Sequence, residues 1–205
     1  KNRLTALKKL ESSDHDVVIL DDGLQDYRIK KDLKIVCFNQ NQLVGNGFVL
    51  PSGPLREGLG ALKDIDMVLI NGDEDKKFNK KILDINNNLK LFHYSYEPVN
   101  LEEFKNKKLF AIAGIAHPEN FFQLLERNKL KVEKKLIFPD HYNFSRKEIE
   151  EILREAESKN FQIIMTEKDY FKINHFNLEK IKYLKIILKV SNPEKFISEI
   201  RKLIQ

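Results

Sequence analysis

The stretch from Lys108 to Thr166 reads KLFAIAGIAHPENFFQLLERNKLKVEKKLIFPDHYNFSRKEIEEILREAESKNFQIIMT. Leu109 to Ala113 is an unbroken apolar run, the pattern of a strand covered on both faces. The spacing predicts further strands over Lys134–Phe138 and Phe161–Met165, with helices over Pro118–Asn128 and Ser145–Lys159 between them. Pro118 stands at a first helical position after His117, and Ser145 followed by Glu148 is a capping box. Strands that alternate with helices are joined by crossovers, which makes the fold class α/β with a largely parallel sheet flanked by helices.

The same alternation extends outward. Strands are predicted over Val17–Leu20, Lys34–Phe38, Met67–Ile70, Leu89–Tyr94 and Leu184–Val190. Helices are predicted over Arg3–Leu10, Lys76–Ile85 and Pro193–Ile204, the last with Asn192 as its cap. Residues 39–62 break the pattern, with glycines at 45, 47, 53, 58 and 60 and prolines at 51 and 54. Apolar Val44, Phe48, Val49 and Leu50 in that stretch argue for an ordered, functional loop. A boundary near Tyr96-Glu97-Pro98 divides the chain into residues 1–100 and a second α/β lobe over 101–205.

The chain has 205 residues, 41% hydrophobic and 33% charged, which excludes wholesale disorder and allows a sizeable core. Its longest nearly unbroken apolar stretch, Leu109 to Ala116, is far short of the roughly 20 residues a membrane-spanning helix needs. The single Cys37 excludes an internal disulfide and a Cys-rich zinc site, and fits a reducing compartment. Residues 1–100 are neutral in charge, so the net +5 sits in residues 101–205. A compositional bias toward lysine explains that excess better than a dedicated basic surface does. The chain begins at Lys1 with a helix already running and no signal peptide, as expected of the later part of a longer polypeptide.

The most chemical segment is His15 to Gly23, where Val17–Leu20 leads into Asp21 and Asp22. In an open α/β sheet, ligands bind beyond the carboxyl ends of the strands. Carboxylates there can hold Mg²⁺ beside a nucleotide phosphate, although Asp-Gly is also ordinary turn chemistry. No G-x-x-x-x-G-K-[S/T] phosphate loop occurs in the chain, so either the protein is no P-loop enzyme or that loop lies upstream of Lys1.

Asp21-Asp22-Gly23-Leu24-Gln25, Gly45-Asn46-Gly47 and Leu50-Pro51-Ser52-Gly53-Pro54-Leu55-Arg56-Glu57 resemble the signature blocks of the tetraacyldisaccharide 4′-kinases, the lipid A 4′-kinases. Ala113-Gly114-Ile115, Phe138-Pro139-Asp140-His141 and Thr166-Glu167-Lys168-Asp169 follow in the family's order. The resemblance implies a P-loop nucleoside triphosphatase core, of which residues 1–100 are the later part, joined to the second lobe. It implies transfer of the γ-phosphate of ATP to the 4′-hydroxyl of a tetraacyl glucosamine disaccharide 1-phosphate, giving lipid IVA. The implied setting is peripheral, at the cytoplasmic face of the inner membrane of Gram-negative bacteria. The family's phosphate loop, membrane helix and one catalytic aspartate lie outside the region matched, so this chain alone is expected to be inactive. Asp26 stands where the family usually has histidine, and His117 also departs from the family pattern.

By that resemblance, Asp21, Asp22 and Glu57 are metal residues, with Asp22 also catalytic, and ATP and Mg²⁺ are the cofactors. Arg56 can grip phosphate through its planar fork, Gln25 can orient a hydroxyl, and Asn46 belongs to the substrate site. His141 is the candidate general base, since a sugar hydroxyl attacking phosphorus must lose its proton. Each has a plainer role open to it: a solvated helix start for Glu57, a surface-loop hydrogen bond for His141. Thr166 can cap a short helix, with Asp169 three residues on. The partners implied are the lipid substrate and the inner-membrane surface, without nucleic acid. Two other classes stay open: a non-catalytic module that binds substrate or partner, and a basic nucleic-acid-binding domain supported by net charge alone.

Overall fold

Short runs of β-branched and aromatic residues become strands only where a neighbouring strand takes up their N–H and C=O groups. The computed structural model of the chain describes residues 3–176 and 179–204. The elements run α1 (Arg3–Leu10), β1 (Ile35–Asn39), β2 (Met67–Asn71), α2 (Lys76–Leu83), β3 (Lys90–Pro98), β4 (Lys108–Ala113) and α3 (Pro118–Arg127). They continue β5 (Lys131–Ile137), α4 (Arg146–Ser158), β6 (Gln162–Thr166), α5 (Glu167–Ile173), β7 (Ile181–Leu184), β8 (Ile186–Val190) and α6 (Pro193–Leu203). Two four-stranded sheets result, ordered β1-β2-β3-β8 and β5-β4-β6-β7. Strands β1, β2 and β3 pair in parallel, as do β5, β4, β6 and β7. The α/β class with parallel sheets is therefore as expected.

The chain folds as two units, one of which holds the residues up to Ser95 and those from Lys189, the other Tyr96–Leu188. This differs from a simple division into residues 1–100 and 101–205. The return of the C-terminal segment has a packing cause, because Phe196 of α6 meets Phe92 of β3 edge-on at 5.2 Å. In the first unit, Val68 and Ile70 of β2 pack with Phe78 and Ile82 of α2, and with Leu62, Ile65 and Leu89. Asp75 starts α2 by accepting the N–H groups of Lys77 and Phe78 at 2.9 and 3.0 Å.

In the second unit, β4 is central and its side chains alternate between two cores. Leu109, Ala111 and Ala113 face Phe121, Phe122 and Leu125 of α3. Phe110 and Ile112 face Ile149, Ile152 and Ala156 of α4, and Ile173 of α5. Both halves of the Ser145–Glu148 capping box form, and Asn192 caps α6 ahead of Pro193.

Two strand expectations are corrected. Val17–Leu20 is not a strand: no described strand pairs with it, and Val17, Val18 and Ile19 are 57%, 43% and 89% exposed. Apolar composition cannot make a strand without an edge to bond to. The single strand expected over Leu184–Val190 is two strands in different sheets. The Lys185 N–H leaves the ladder and donates to the Asn100 side chain at 2.8 Å, which separates β7 from β8.

Phe122 is fully buried between α3 and β4. Urea unfolding of Phe122→Ala is expected to show a loss of about 3–5 kcal/mol. Ser145→Ala is expected to lose only about 1 kcal/mol, the cost of a helix cap.

Candidate active site

The segment after Val17–Leu20 turns sharply instead of extending. Asp22 takes a left-handed conformation (φ 53°), which Asp tolerates better than most residues. A side chain at Gly23 would start 2.6 Å from the Leu20 Cβ, so the turn closes only on glycine. Arg3 of α1 holds the turn from outside, donating through Nη2 to the carbonyls of Asp21 and Asp22 at 3.1 and 3.0 Å. The Asp21 and Asp22 side chains therefore stand in an exposed turn, not at a strand end.

Arg56 closes on this turn and ion-pairs with the Asp22 carboxylate. Its guanidinium holds the Asp22 carboxyl below the usual carboxylate range, and the carboxylate in turn raises Arg56. Beside Arg56, Glu57 accepts the Tyr27 hydroxyl at 2.7 Å, which pushes the phenol upward. Arg28 grips Asp26 through Nε and Nη2, both at 2.8 Å, and draws its carboxyl down to about 2. Arg3, Asp22, Gln25, Asp26, Tyr27 and Arg28 line an open cavity of about 460 Å³.

The loop that delivers Arg56 and Glu57 is pinned from within. Asn46 accepts the Phe48 N–H at 3.1 Å and donates to the Ser52 carbonyl at 2.8 Å. A Cβ at Gly53 would lie 2.2 Å from the Asn46 Oδ1, so the amide reaches its partners only past a glycine. Leu50 and Leu55 bond across the loop, with Leu50 N–H to Leu55 carbonyl at 2.8 Å.

In the second unit the loops at the carboxyl ends of β4, β5 and β6 are tied together. Asp169, fully buried, accepts the Gly114 N–H at 2.7 Å, the Thr166 hydroxyl at 2.8 Å and the Lys172 ammonium at 2.7 Å. Thr166 caps α5, accepting the Asp169 N–H at 3.2 Å. Phe138, just past β5, donates its N–H to the Ala113 carbonyl at 2.9 Å. Asp140 follows, its carboxyl held low first by Lys168 (3.2 Å) and then by the neighbouring His141. His141 has a left-handed backbone (φ 60°) and an exposed side chain whose Nε2 lies 3.7 Å from Asp140 Oδ2.

The structure thus brings Asp22 to Arg56, draws Glu57 in through Tyr27, and sets Gln25 on the same cavity. Asp21 contributes its carbonyl to the Arg3 clasp. Asn46 makes its bonds inside its own loop, and His141 belongs to the second unit. Arg3 and Tyr27 were not singled out in the sequence, since their partners lie 18 to 30 residues away, and Lys168 stood in a family block without a role of its own. Among the described residues, no three His, Cys, Asp or Glu side chains form a ready metal cage. Mg²⁺ does not require one: it keeps several waters and takes one or two carboxylates beside substrate phosphates. Asp22 offers one such carboxylate, held at rest by the Arg56 guanidinium.

The sequence profile of the tetraacyldisaccharide-1-P 4′-kinases, LpxK, matches residues 1–205. The chain belongs to the LpxK family. It is 41% identical over 204 residues to the LpxK relative of Pelagibacter ubique (strain HTCC1062), a tetraacyldisaccharide 4′-kinase, covering 98% of this chain and 65% of that protein. It is 33% identical over 195 residues to the tetraacyldisaccharide 4′-kinase of Haemophilus influenzae (strain 86-028NP), covering 95% and 56%. The chain thus spans between 56% and 65% of the length of these relatives. A crystal structure of LpxK from Aquifex aeolicus in complex with ATP shares the fold, with a TM-score of 0.69. Its sequence is 22% identical, and the match covers 97% of this chain and 61% of that one.

Asp26, where the family resemblance leads one to expect histidine, is committed to Arg28. Its lowered pKa means the pair contributes above the ordinary Asp range and is lost as pH falls through about 2. Carbon NMR of the Asp26 carboxyl is expected to show a midpoint at about 2, and Arg28→Met to return it toward the ordinary aspartate value.

Proposed function

We propose that this chain serves the transfer of the γ-phosphate of ATP to the 4′-hydroxyl of a tetraacyl glucosamine disaccharide 1-phosphate, yielding lipid IVA. The observation that carries the reading is the convergence of Asp22, Arg56 and Glu57, built from two segments that match the family's blocks. Phosphoryl transfer asks for positioning and for neutralisation of spread negative charge, with little covalent work by the protein.

Asp21, Asp22 and Glu57 supply hard oxygen donors, the type Mg²⁺ takes. Held there, Mg²⁺ would supply positive charge to set against the phosphates. Arg56 has N–H groups beyond the one given to Asp22, and these suit a phosphate oxygen. Its pair with Asp22 is exposed on both sides, so a phosphate displaces it at little cost. Gln25 offers both a donor and an acceptor to the substrate from the wall of the same cavity. Asn46 acts through the loop it pins, fixing the approach of Arg56 and Glu57.

His141 accepts the proton of the attacking 4′-hydroxyl. It is an imidazole on an exposed loop, with a carboxylate beside it. The setting is peripheral, at the cytoplasmic face of the inner membrane of a Gram-negative cell, where an acylated substrate resides. No helix among the described residues is long and apolar enough to cross a membrane. Nucleic acid has no part in this reading.

The test is ATP-dependent phosphorylation of the disaccharide by the intact protein. His141→Ala and Asp22→Asn are each expected to lower turnover, His141→Ala by roughly 10²–10⁴-fold, with the circular dichroism spectrum unchanged. Turnover at the unsubstituted rate in His141→Ala would remove that residue from the mechanism.

A further inference from the structure

We infer that Lys168 is a positioning residue for His141, acting through the carboxylate of Asp140. The inference rests on His141 being the proton acceptor, and it concerns the Thr166-Glu167-Lys168-Asp169 segment, to which that reading gives no role.

An exposed imidazole on a loop is free to rotate, and a base must meet its proton within hydrogen-bond reach. His141 is 79% exposed in its side chain, so the protein must hold it by something other than packing. Asp140 holds the backbone at His141: its Oδ1 accepts the His141 N–H at 2.9 Å. Its Oδ2 lies 3.7 Å from Nε2, beyond hydrogen-bond distance but near enough to meet the ring once it takes a proton. Asp140 is itself a short side chain on a turn, and it needs an anchor. Lys168 supplies one, donating to the same Oδ1 at 3.2 Å. With Oδ1 occupied by Lys168 and the backbone, Oδ2 is left turned to the imidazole.

Lys168 can hold Asp140 only because α5 cannot shift. Asp169, the next residue, is fully buried and fixes α5 to Gly114 at the end of β4. Lys172 adds a second tie, donating to the Gly114 carbonyl at 3.3 Å. The fit at Gly114 is close, since a Cβ there would press on Asp169 Oδ1 at 3.2 Å. On its other side the loop is closed by aromatic packing of Phe138 with Tyr142 and Phe144, at 4.7 and 4.9 Å. A continuous path runs from the buried end of β4 through Asp169, α5, Lys168 and Asp140 to His141. The Lys168–Asp140 pair is partly exposed on both sides, so it adds little stability. Its effect is on where a carboxylate points.

The experiment measures kcat and KM for ATP and for the lipid disaccharide in the intact protein. It compares Lys168→Met, Lys168→Arg, His141→Ala and the double variant Lys168→Met/His141→Ala. Lys168→Met is expected to lower kcat roughly 10- to 100-fold, the scale of a misplaced catalytic group, with both KM values unchanged. Lys168→Arg is expected to restore most of the loss. In the His141→Ala background, Lys168→Met is expected to cost nothing further, because its effect runs through the imidazole. Amide hydrogen exchange is expected to quicken at His141 in Lys168→Met and to stay slow at Gly114. An unaltered kcat in Lys168→Met, or the same fold loss in both backgrounds, would overturn the inference while leaving His141 as the base. Unaltered turnover in His141→Ala itself would overturn the role of His141 and this inference with it.

Discussion

A carboxylate without water must be surrounded by donors, and Asp169 has three: the Gly114 N–H, the Thr166 hydroxyl and the Lys172 ammonium. Removing any one of them leaves part of a buried charge uncompensated, which is far costlier than losing an exposed pair. The arrangement of the second unit follows from this. Strands β4 and β6 are neighbours in a parallel sheet, so their loops emerge on the same side. Asp169 locks those two loops together, and the loop after β5 is bonded to β4 through Phe138. Thr166, Lys168 and Asp169 then serve different ends within one turn of helix: a cap, a reach to Asp140, and an anchor in the core.

The first unit solves a different problem. The Asp22–Arg56 pair is more than half exposed on both sides, and Glu57 accepts a phenol. Such contacts are weak in water and are exchanged easily. A site that takes up a metal–nucleotide complex has to release its resting partners when the ligand arrives, and weak partners suit it. Rigidity therefore lies in what carries the charges: the glycine-tight turn at Gly23, the Arg3 clasp on two carbonyls, and the loop that Asn46 pins. The charged tips stay free to change partners.

Much of this architecture was legible in the sequence because its causes are local. The apolar run of β4, the Ser145–Glu148 box, Pro118 and the Asn192–Pro193 pair each state an element within a few residues, and each element formed. What was not legible depends on distant partners. Val17–Leu20 has the composition of a strand but no described edge beside it. Lys185 ends β7 because Asn100 takes its N–H. The chain from Lys189 returns to the first unit because Phe196 finds Phe92. At the site, the family blocks named Asp22, Arg56 and Glu57, and only folding showed which of them meet. Tyr27 and Arg3 carried no motif, so nothing local announced them.

The two units divide the proposed work by kind of charge: an exchangeable carboxylate–arginine centre for the nucleotide, and an anchored carboxylate–imidazole loop for the hydroxyl. The assignment of the first centre is the one on which the account turns. It can be measured without turnover by adding Mn²⁺ and a non-hydrolysable ATP analogue to the isotope-labelled intact protein. Paramagnetic broadening of the amide signals is predicted to begin at Asp21, Asp22 and Glu57. Broadening that spares those residues and centres instead on the cavity lined by Asp64 and Asp66 would contradict the account.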